Sequence, residues 1–176
     1  SFNQDIGDWD VSNVETMRYL FTSSAFNEDI GSWNVSSVTD MTGMFQYLVT
    51  FNHDLSNWDV SNVSAMGSMF SGAESFNQDI SGWDISSLET ADSFFWGVHS
   101  VSVCNYSKLL KGWATLEGSE SLQSSVTFYG SLNGYYSFVD SYRDVLETDY
   151  SWTITDGGSI TSVIINSIVD CFIGST

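Results

Sequence analysis

Proline is absent from this 176-residue sequence, so other residues must make its turns. Asn, Asp, Ser and Gly are the remaining residues suited to tight turns, and all four are abundant here. Basic residues are scarce: four Lys and Arg stand against 22 Asp and Glu, which gives a formal net charge of -18. Such a surface repels phosphate backbones and anionic lipid, which argues against nucleic-acid partners. It is compatible with cations, basic surfaces and neutral glycans.

Long apolar runs and cysteines are also few. No segment reaches the roughly 18 apolar residues of a membrane helix. The closest, SITSVIINSIVDCFIGST, is interrupted by Asn166 and Asp170. The two cysteines, Cys104 and Cys171, are too few for a disulfide framework. They form either a single disulfide, if the protein is secreted, or two small buried apolar groups.

The chain instead repeats one pattern four times. The copies are FNQDIGDWDVSNV from Phe2, FNEDIGSWNVSSV from Phe26, FNHDLSNWDVSNV from Phe51 and FNQDISGWDISSL from Phe76, so they begin 24, 25 and 25 residues apart. A fixed period of this length indicates a repeat architecture, in which each unit buries its apolar face against its neighbours. Trp9, Trp33, Trp58 and Trp83 occupy the same position in each copy and should form a column.

Two hydrophobic periods occur within each copy. Trp33 and Val35 alternate with polar residues, which predicts a short strand. The spacing from Val38 to Phe45 predicts about two helical turns, which Ser36 would cap. The sequence therefore predicts an α/β solenoid, a right-handed, curved, leucine-rich-repeat-like stack of strand-plus-short-helix coils over residues 1–99.

The period is lost after residue 100, and residues 100–176 are predicted to form an α+β C-terminal cap with a terminal strand. Helices are expected at 106–113 and 137–148, and strands at 125–129 and 152–155. Residues 163–173 are rich in β-branched side chains and predict a last strand, which would pair within the cap or with a neighbouring chain.

Polar columns accompany the apolar ones. The members are Asn3, Asn27, Asn52 and Asn77; Asp5, Asp29, Asp54 and Asp79; and Asp10, Asn34, Asp59 and Asp84. One interpretation is that they bond backbone groups in the turns. The other is that the stacked carboxylates Asp5, Asp29, Asp54 and Asp79 bind calcium, although neither a D-x-D-x-D-G loop nor a glycine-rich nonapeptide is present.

The pattern F-N-x-D-I-x-x-W-D-V-S-x-V-x-x-M-x-x-M-F resembles the 25-residue surface-protein repeat of the BspA-like family, first catalogued in mycoplasma lipoproteins. The resemblance covers Phe2 to about Phe95, and NYSKLLKGW (105–113) and WTITDGG (152–158) resemble the C-terminal end that closes such arrays. It implies leucine-rich-repeat-like units, an extracellular or cell-surface location and an association with adhesion, without a defined biochemical activity.

No catalytic set is evident. A nucleophile elbow, a P-loop and a zinc-spaced Cys/His cluster are all absent from the sequence, so we expect a protein that is not an enzyme and needs no cofactor except, in the alternative above, calcium. The leading hypothesis is an extracellular cell-surface module for adhesion or for protein or glycan binding, with repeated weak contacts acting together. The alternative is a structural subunit of a surface filament or sheath that assembles head-to-tail.

Contact residues are expected where the copies differ: Gln4, Glu28, His53 and Gln78, and Asp8, Ser32, Asn57 and Gly82. Three sequons predict glycosylation at Asn34, Asn62 and Asn105 on a eukaryotic secretory route. The chain opens inside a repeat, which suggests a mature product or a fragment. The first copy should expose its Trp and Val, so either further repeats precede it or another chain covers that end.

Overall fold

The structure, a computed structural model, describes residues 2–116, 122–160 and 171–172. Its regular elements are the helices α1 (Val103–Ala114) and α2 (Asp140–Thr148), a short 3₁₀ helix (Ser137–Val139), and the strands β1 (Thr127–Tyr129), β2 (Tyr135–Tyr136), β3 (Thr153–Thr155) and β4 (Ser159–Ile160). All of them follow residue 100. The four repeats, as far as they are described, consist of turns and isolated β-bridges.

A ladder of parallel backbone hydrogen bonds joins successive repeats. Single bridges link Thr16 to Asp40, Asp40 to Ala65, and Ala65 to Thr90. Alternate N–H groups donate to the next repeat, as Met17 does to Asp40 at 2.9 Å, while those between them donate within their own repeat. The two-residue alternation of a strand is therefore present, although each repeat contributes only one residue to the bridges between repeats.

The ladder continues from the repeats into the C-terminal region. Ala91 of the fourth repeat bridges Phe128 in β1, and β1 pairs in parallel with β3, where Phe128 faces Ile154. Strands β2 and β4 form a second parallel pair. The predicted helices at 106–113 and 137–148 correspond to α1 and α2, and the predicted strands at 125–129 and 152–155 correspond to β1 and β3. The predicted strand over 163–173 lies outside the described residues, apart from 171–172.

The prediction of helical turns and strands inside the repeats is wrong. Gly43 and Tyr47 have φ of +62° and +56°, in the left-handed region, and such residues interrupt a right-handed helix. Ser36 does not cap a helix, because its hydroxyl donates to Asn34 Oδ1 at 2.7 Å. Turns closed by three-residue hydrogen bonds, such as that from Met44 N–H to the Met41 carbonyl, produce the apolar spacing that suggested a helix. The handedness and curvature of the stack stay predictions.

The core runs through the repeats as columns. Trp33, Trp58 and Trp83 are buried, and each indole N–H donates to a backbone carbonyl of the preceding repeat at 2.9–3.2 Å. Phe rings stack between repeats, with centroids 5.2 Å apart for Phe45 and Phe70. Each repeat thus buries its apolar face against the next, which is how repeat arrays gain stability.

Helix α1 takes the place of a fifth repeat on the fourth. In the repeats, Asn77 N–H donates to Asn52 Oδ1 at 2.8 Å, and Ser102 N–H makes the same bond to Asn77 Oδ1. Asn105 Nδ2 then donates to the Asn77 carbonyl at 2.7 Å. Ser102 is also the N-cap of α1, since its hydroxyl accepts from the Asn105 N–H at 3.1 Å. The C-terminal region therefore covers the last repeat through contacts that imitate repeat-to-repeat contacts.

Candidate functional site

Three aromatic side chains on the bridged segments are exposed to solvent. Tyr19, Tyr47 and Trp96 are 47%, 46% and 55% exposed, whereas the rings of the Phe columns behind them are buried. Together with Arg18 and the exposed Asp92 they form what we call the ladder surface. These side chains come from the first, second and fourth repeats, and adjacent layers of such a ladder are about 4.8 Å apart.

Two of these aromatic rings are held against glycines of the following repeat. A Cβ added at Gly43 would overlap the Tyr19 ring, and one added at Gly72 would overlap the Tyr47 ring. Because glycine has no Cβ, the rings can approach the neighbouring backbone closely. Each ring is therefore positioned by the fold while about half of it stays in solvent. Rigid, exposed aromatic groups provide contact area with little loss of conformational entropy on binding.

One ion pair crosses the ladder surface. Arg18 Nη1 lies 3.1 Å from Asp40 Oδ2 in the next repeat, and the guanidinium lies 5.3 Å from the Tyr19 ring centroid. Partial burial raises the pKa of Asp40, but hydrogen bonds from Thr42 and Arg18 outweigh burial and hold this pKa below its ordinary value. Asp40 is thus charged at neutral pH and helps to position Arg18 beside Tyr19.

Side chains of the first predicted contact column form hydrogen bonds within the protein. His53 Nε2 lies 2.9 Å from the carbonyl oxygen of Asn27, and Gln78 Nε2 donates to the carbonyl of Asn52 at 2.7 Å. Gln4 Nε2 bonds its neighbour Asn3 at 3.4 Å. The structure places Glu28 of the same column half-buried. Variation between copies suggested ligand contacts, but it also suits side chains that reach back to the preceding repeat.

The second predicted contact column stays exposed. Its members are Asp8, Ser32, Asn57 and Gly82. Ser32 donates its hydroxyl to the Gly7 carbonyl at 3.3 Å. These residues lie in the turn before each Trp, whereas the ladder surface comes from the bridged segments, so the structure does not join them to Tyr19, Tyr47 and Trp96 through the chain.

Both Asp columns close turns. Asp5, Asp29, Asp54 and Asp79 each accept from the backbone N–H two residues later, at 2.8–3.1 Å. The column of Asp10, Asn34, Asp59 and Asp84 does the same, at 2.9–3.2 Å. The turn interpretation is therefore confirmed. Within residues 2–116, 122–160 and 171–172, no three His, Cys, Asp or Glu side chains come together as a metal site. Calcium binding stays a prediction.

A buried polar cluster in the C-terminal region was not predicted. Asp156 is almost fully buried and accepts from the Tyr106 hydroxyl at 2.7 Å and from Arg143 Nε at 3.3 Å. Arg143 also pairs with Glu147, four residues later in α2, and donates to the Ile154 carbonyl at 3.1 Å. Burial and the Asp156 charge raise the pKa of Tyr106 well above its ordinary value. The Arg143–Glu147 spacing was the one signal available in the sequence.

The two cysteines are bonded to each other. Cys104 in α1 and Cys171 form a disulfide.

The predicted glycosylation sites differ in their hydrogen bonds. Asn34 and Asn62 are exposed, but Asn62 Nδ2 donates to the Ser36 carbonyl at 2.9 Å. Asn105 Nδ2 donates to both the carbonyl and Oδ1 of Asn77, so glycosylation of Asn105, which replaces one of its two amide hydrogens, would remove one of these bonds. Asn34 uses its Oδ1 as an acceptor, and this leaves its attachment nitrogen outside that bond.

A family model described as "Mycoplasma protein of unknown function, DUF285" matches residues 1–109. The chain belongs to this family. No curated protein and no solved structure matches the chain significantly. In the described part of the chain, no helix has the length and apolar character needed to cross a membrane.

The DUF285 match extends past the fourth repeat. It ends at residue 109, inside α1, and therefore includes Ser102 and Asn105, which bond Asn77. The family pattern thus covers the first half of the helix that imitates a fifth repeat. The residues that carry the ladder surface, Tyr19 to Trp96, all lie within the matched segment.

Proposed function

We propose that this chain is a non-catalytic, extracellular or cell-surface binding module of the BspA-like type, with its repeats stacked as a solenoid. The ladder surface would contact a surface or matrix protein or a glycan. The observation that carries the proposal is the exposure of Tyr19, Tyr47 and Trp96 on the bridged segments of the first, second and fourth repeats. Aromatic side chains are enriched among the residues that dominate binding energy.

Polar side chains elsewhere in the repeats are already hydrogen-bonded within the protein, and this favours the ladder surface as the binding surface. His53, Gln78 and the turn-closing Asp residues already have partners within the protein, so their polar atoms are partly satisfied. The rings of Tyr19 and Tyr47 instead contact a neighbouring glycine on one side and face solvent on the other. The ladder surface therefore presents half-exposed aromatic rings that are free to contact a partner on their solvent side.

The disulfide supports an extracellular location. Disulfides persist in oxidising environments and are rare in the cytosol of mesophiles. Cys104 and Cys171 join α1 to the C-terminal end of the chain, 67 residues apart in sequence. The high negative charge is also compatible with neutral glycans or basic protein surfaces, since both avoid like-charge repulsion.

Binding to immobilised mucin-type glycans and to collagen tests the proposal. A triple variant, Tyr19→Ala with Tyr47→Ala and Trp96→Ala, should bind at least about tenfold more weakly than the wild type, as expected for loss of aromatic hot spots. The matched control is Leu132→Ala with Phe138→Ala, which removes exposed apolar side chains from the C-terminal region. Equal binding by the triple variant, or no binding by the wild type to either probe, would overturn the proposal.

The filament alternative stays a prediction. Because α1 and β1 lie on the fourth repeat, a head-to-tail contact would involve the outer surface of the C-terminal region and not the fourth repeat itself. Mass photometry over a dilution series distinguishes the two functions: a monomer at all concentrations fits the binding module, and a ladder of oligomers fits the filament.

A further inference from the structure

Two of the exposed aromatic residues of the ladder surface lie on either side of one glycine. The Tyr47 N–H donates to the Ser71 carbonyl at 2.8 Å, and the N–H of the next residue, Gly72, donates to the Trp96 carbonyl at 2.9 Å. Tyr47 in the second repeat and Trp96 in the fourth are therefore two layers of the ladder apart, which is about 10 Å along the stack. We call Tyr47 and Trp96 the aromatic pair.

The third repeat places no bulky side chain between the two aromatic residues. Ser71 is buried, and Gly72 has no side chain. The Tyr47 ring lies against Gly72, where a Cβ would overlap it, so the fold fixes the ring while 46% of the residue stays exposed. A ligand that runs along the stack can therefore contact both members of the aromatic pair without crossing a larger side chain.

The polar groups of the aromatic pair are unoccupied. Within the described residues, neither the Tyr47 hydroxyl nor the Trp96 indole N–H makes a hydrogen bond, whereas the Trp83 indole N–H donates to a backbone carbonyl. Tyr19 on the same surface differs, because the Arg18 guanidinium already lies 5.3 Å from its ring centroid. The aromatic pair thus offers two apolar rings, a hydroxyl and an N–H donor to a ligand.

A polyproline II segment matches both the spacing and the polarity of the aromatic pair. It rises about 3.1 Å per residue with three residues per turn, so residues three apart lie on the same side and about 9.3 Å from each other. Proline lacks an N–H group, and polyproline II has no internal hydrogen bonds, so its carbonyls remain available as acceptors for the Trp96 indole N–H. Aromatic-lined grooves recognise proline-rich segments in this way.

The charge of the chain narrows the choice of ligand further. The formal net charge is -18, and the exposed Glu74 lines a cavity of about 330 Å³ together with Gly97, the residue that follows Trp96. Sialylated and sulfated glycans would be repelled, whereas a neutral proline-rich segment, or one flanked by Lys or Arg, would not. The 176 residues contain no proline, so no segment among them competes for the aromatic pair.

We propose that the aromatic pair binds a proline-rich segment in the polyproline II conformation, with prolines three residues apart on Tyr47 and Trp96. This inference rests on the proposed function, since it names the ligand class of the ladder surface. The ligand is extended before it binds and therefore loses little conformational entropy.

Titration of the full chain with nonaproline tests the inference, with a Gly/Ser peptide of equal length as the peptide control. Tyr47→Ala and Trp96→Ala should each weaken nonaproline binding about tenfold, as expected for aromatic hot spots. The matched protein control is Tyr19→Ala, which removes a similarly exposed ring from the same surface and should change the affinity less than about twofold. The Gly/Ser peptide should not bind.

The indole N–H of Trp96 gives a local readout. Its peak in ¹H–¹⁵N spectra, assigned with Trp96→Phe, should shift on addition of nonaproline, while that of the exposed Trp9 should not. Absence of nonaproline binding, or an equal loss of binding in Tyr19→Ala, contradicts the inference. If the chain binds mucin-type glycans through the aromatic pair but not nonaproline, the ligand class is wrong and the proposed function stands. If it binds no glycan, collagen or nonaproline, both are wrong.

Discussion

The ring of Tyr19 lies against Gly43 of the next repeat, where a Cβ would overlap it. Gly43 also has φ of +62°, a conformation that costs an L-residue about 1 kcal/mol or more. Gly43→Ala should therefore lower the free energy of unfolding by about 1–2 kcal/mol, measured by urea denaturation. The half-exposed Tyr19 ring can move aside, which limits the steric part of this cost.

Two other glycines separate the causes of this destabilisation. Gly97 has φ of +74° but open space around its Cβ position, so Gly97→Ala should show the backbone cost alone. Gly82 has neither constraint, and Gly82→Ala should stay within about 0.5 kcal/mol of the wild type. The interpretation fails if Gly43→Ala is as mild as Gly82→Ala.

Trp83 and Trp113 are equally buried but differ in one hydrogen bond. Trp83 Nε1 donates to the Leu55 carbonyl at 2.9 Å, whereas Trp113 Nε1 has no partner in the described part of the chain. Both Trp→Phe changes remove similar volume, but only Trp83→Phe removes a hydrogen bond, after which the Leu55 carbonyl keeps the Trp58 N–H as its one donor. Trp83→Phe should cost about 1 kcal/mol more than Trp113→Phe in urea unfolding. An equal or reversed order would show that the indole bond contributes little.

The repeat period and the columns could be predicted from sequence because side chains at equivalent positions face the same neighbours. The local backbone could not. Residues such as Tyr19 and Tyr47 adopt positive φ, which is uncommon for non-glycine residues, and their ladder bonds come from the adjacent repeats. The spacing Val38, Met41, Met44 suits a helix and a chain of turns equally well, so periodicity alone could not distinguish them.

The ladder surface was missed for a related reason. Tyr19, Tyr47 and Trp96 do not occupy one column of the repeat, so no periodic signal marks them. Their placement on one bridged ladder depends on the contacts between repeats from Thr16 to Thr90. The predicted contact residues His53 and Gln78 were chosen for variability, which does not report whether a side chain already has a partner. The C-terminal region was predicted better, since its helices and strands are regular.

Stability should fall at alkaline pH because two tyrosines resist ionisation in the folded state. Burial raises the pKa of Tyr135 to about 12, and burial with the Asp156 charge raises that of Tyr106 well above 10.0. Below pH 10 the unfolded and folded states bind these protons equally. As the pH rises through about 10, the unfolded state releases them first, so the free energy of unfolding decreases.

Replacing Tyr106 separates its contribution to the pH dependence of stability from that of Tyr135. Tyr106→Phe removes a hydrogen bond to Asp156 and should cost about 1–2 kcal/mol at neutral pH. Its loss of stability above pH 10 should be shallower than that of the wild type by about one proton, or roughly 1.4 kcal/mol per pH unit. Urea unfolding at several pH values measures this slope, with the exposed Tyr19→Phe as the control. Parallel slopes for wild type and Tyr106→Phe would contradict the assignment.

Chelation separates the two interpretations of the Asp column. If Asp5, Asp29, Asp54 and Asp79 serve only to close turns, removing divalent cations with EDTA should leave the melting temperature unchanged, because each carboxylate keeps its backbone N–H donor. If they share calcium, the melting temperature should fall and recover when calcium is restored. We expect no change. Asp54→Asn provides the matched test, since an amide oxygen still accepts from Ser56 N–H but binds a divalent cation more weakly.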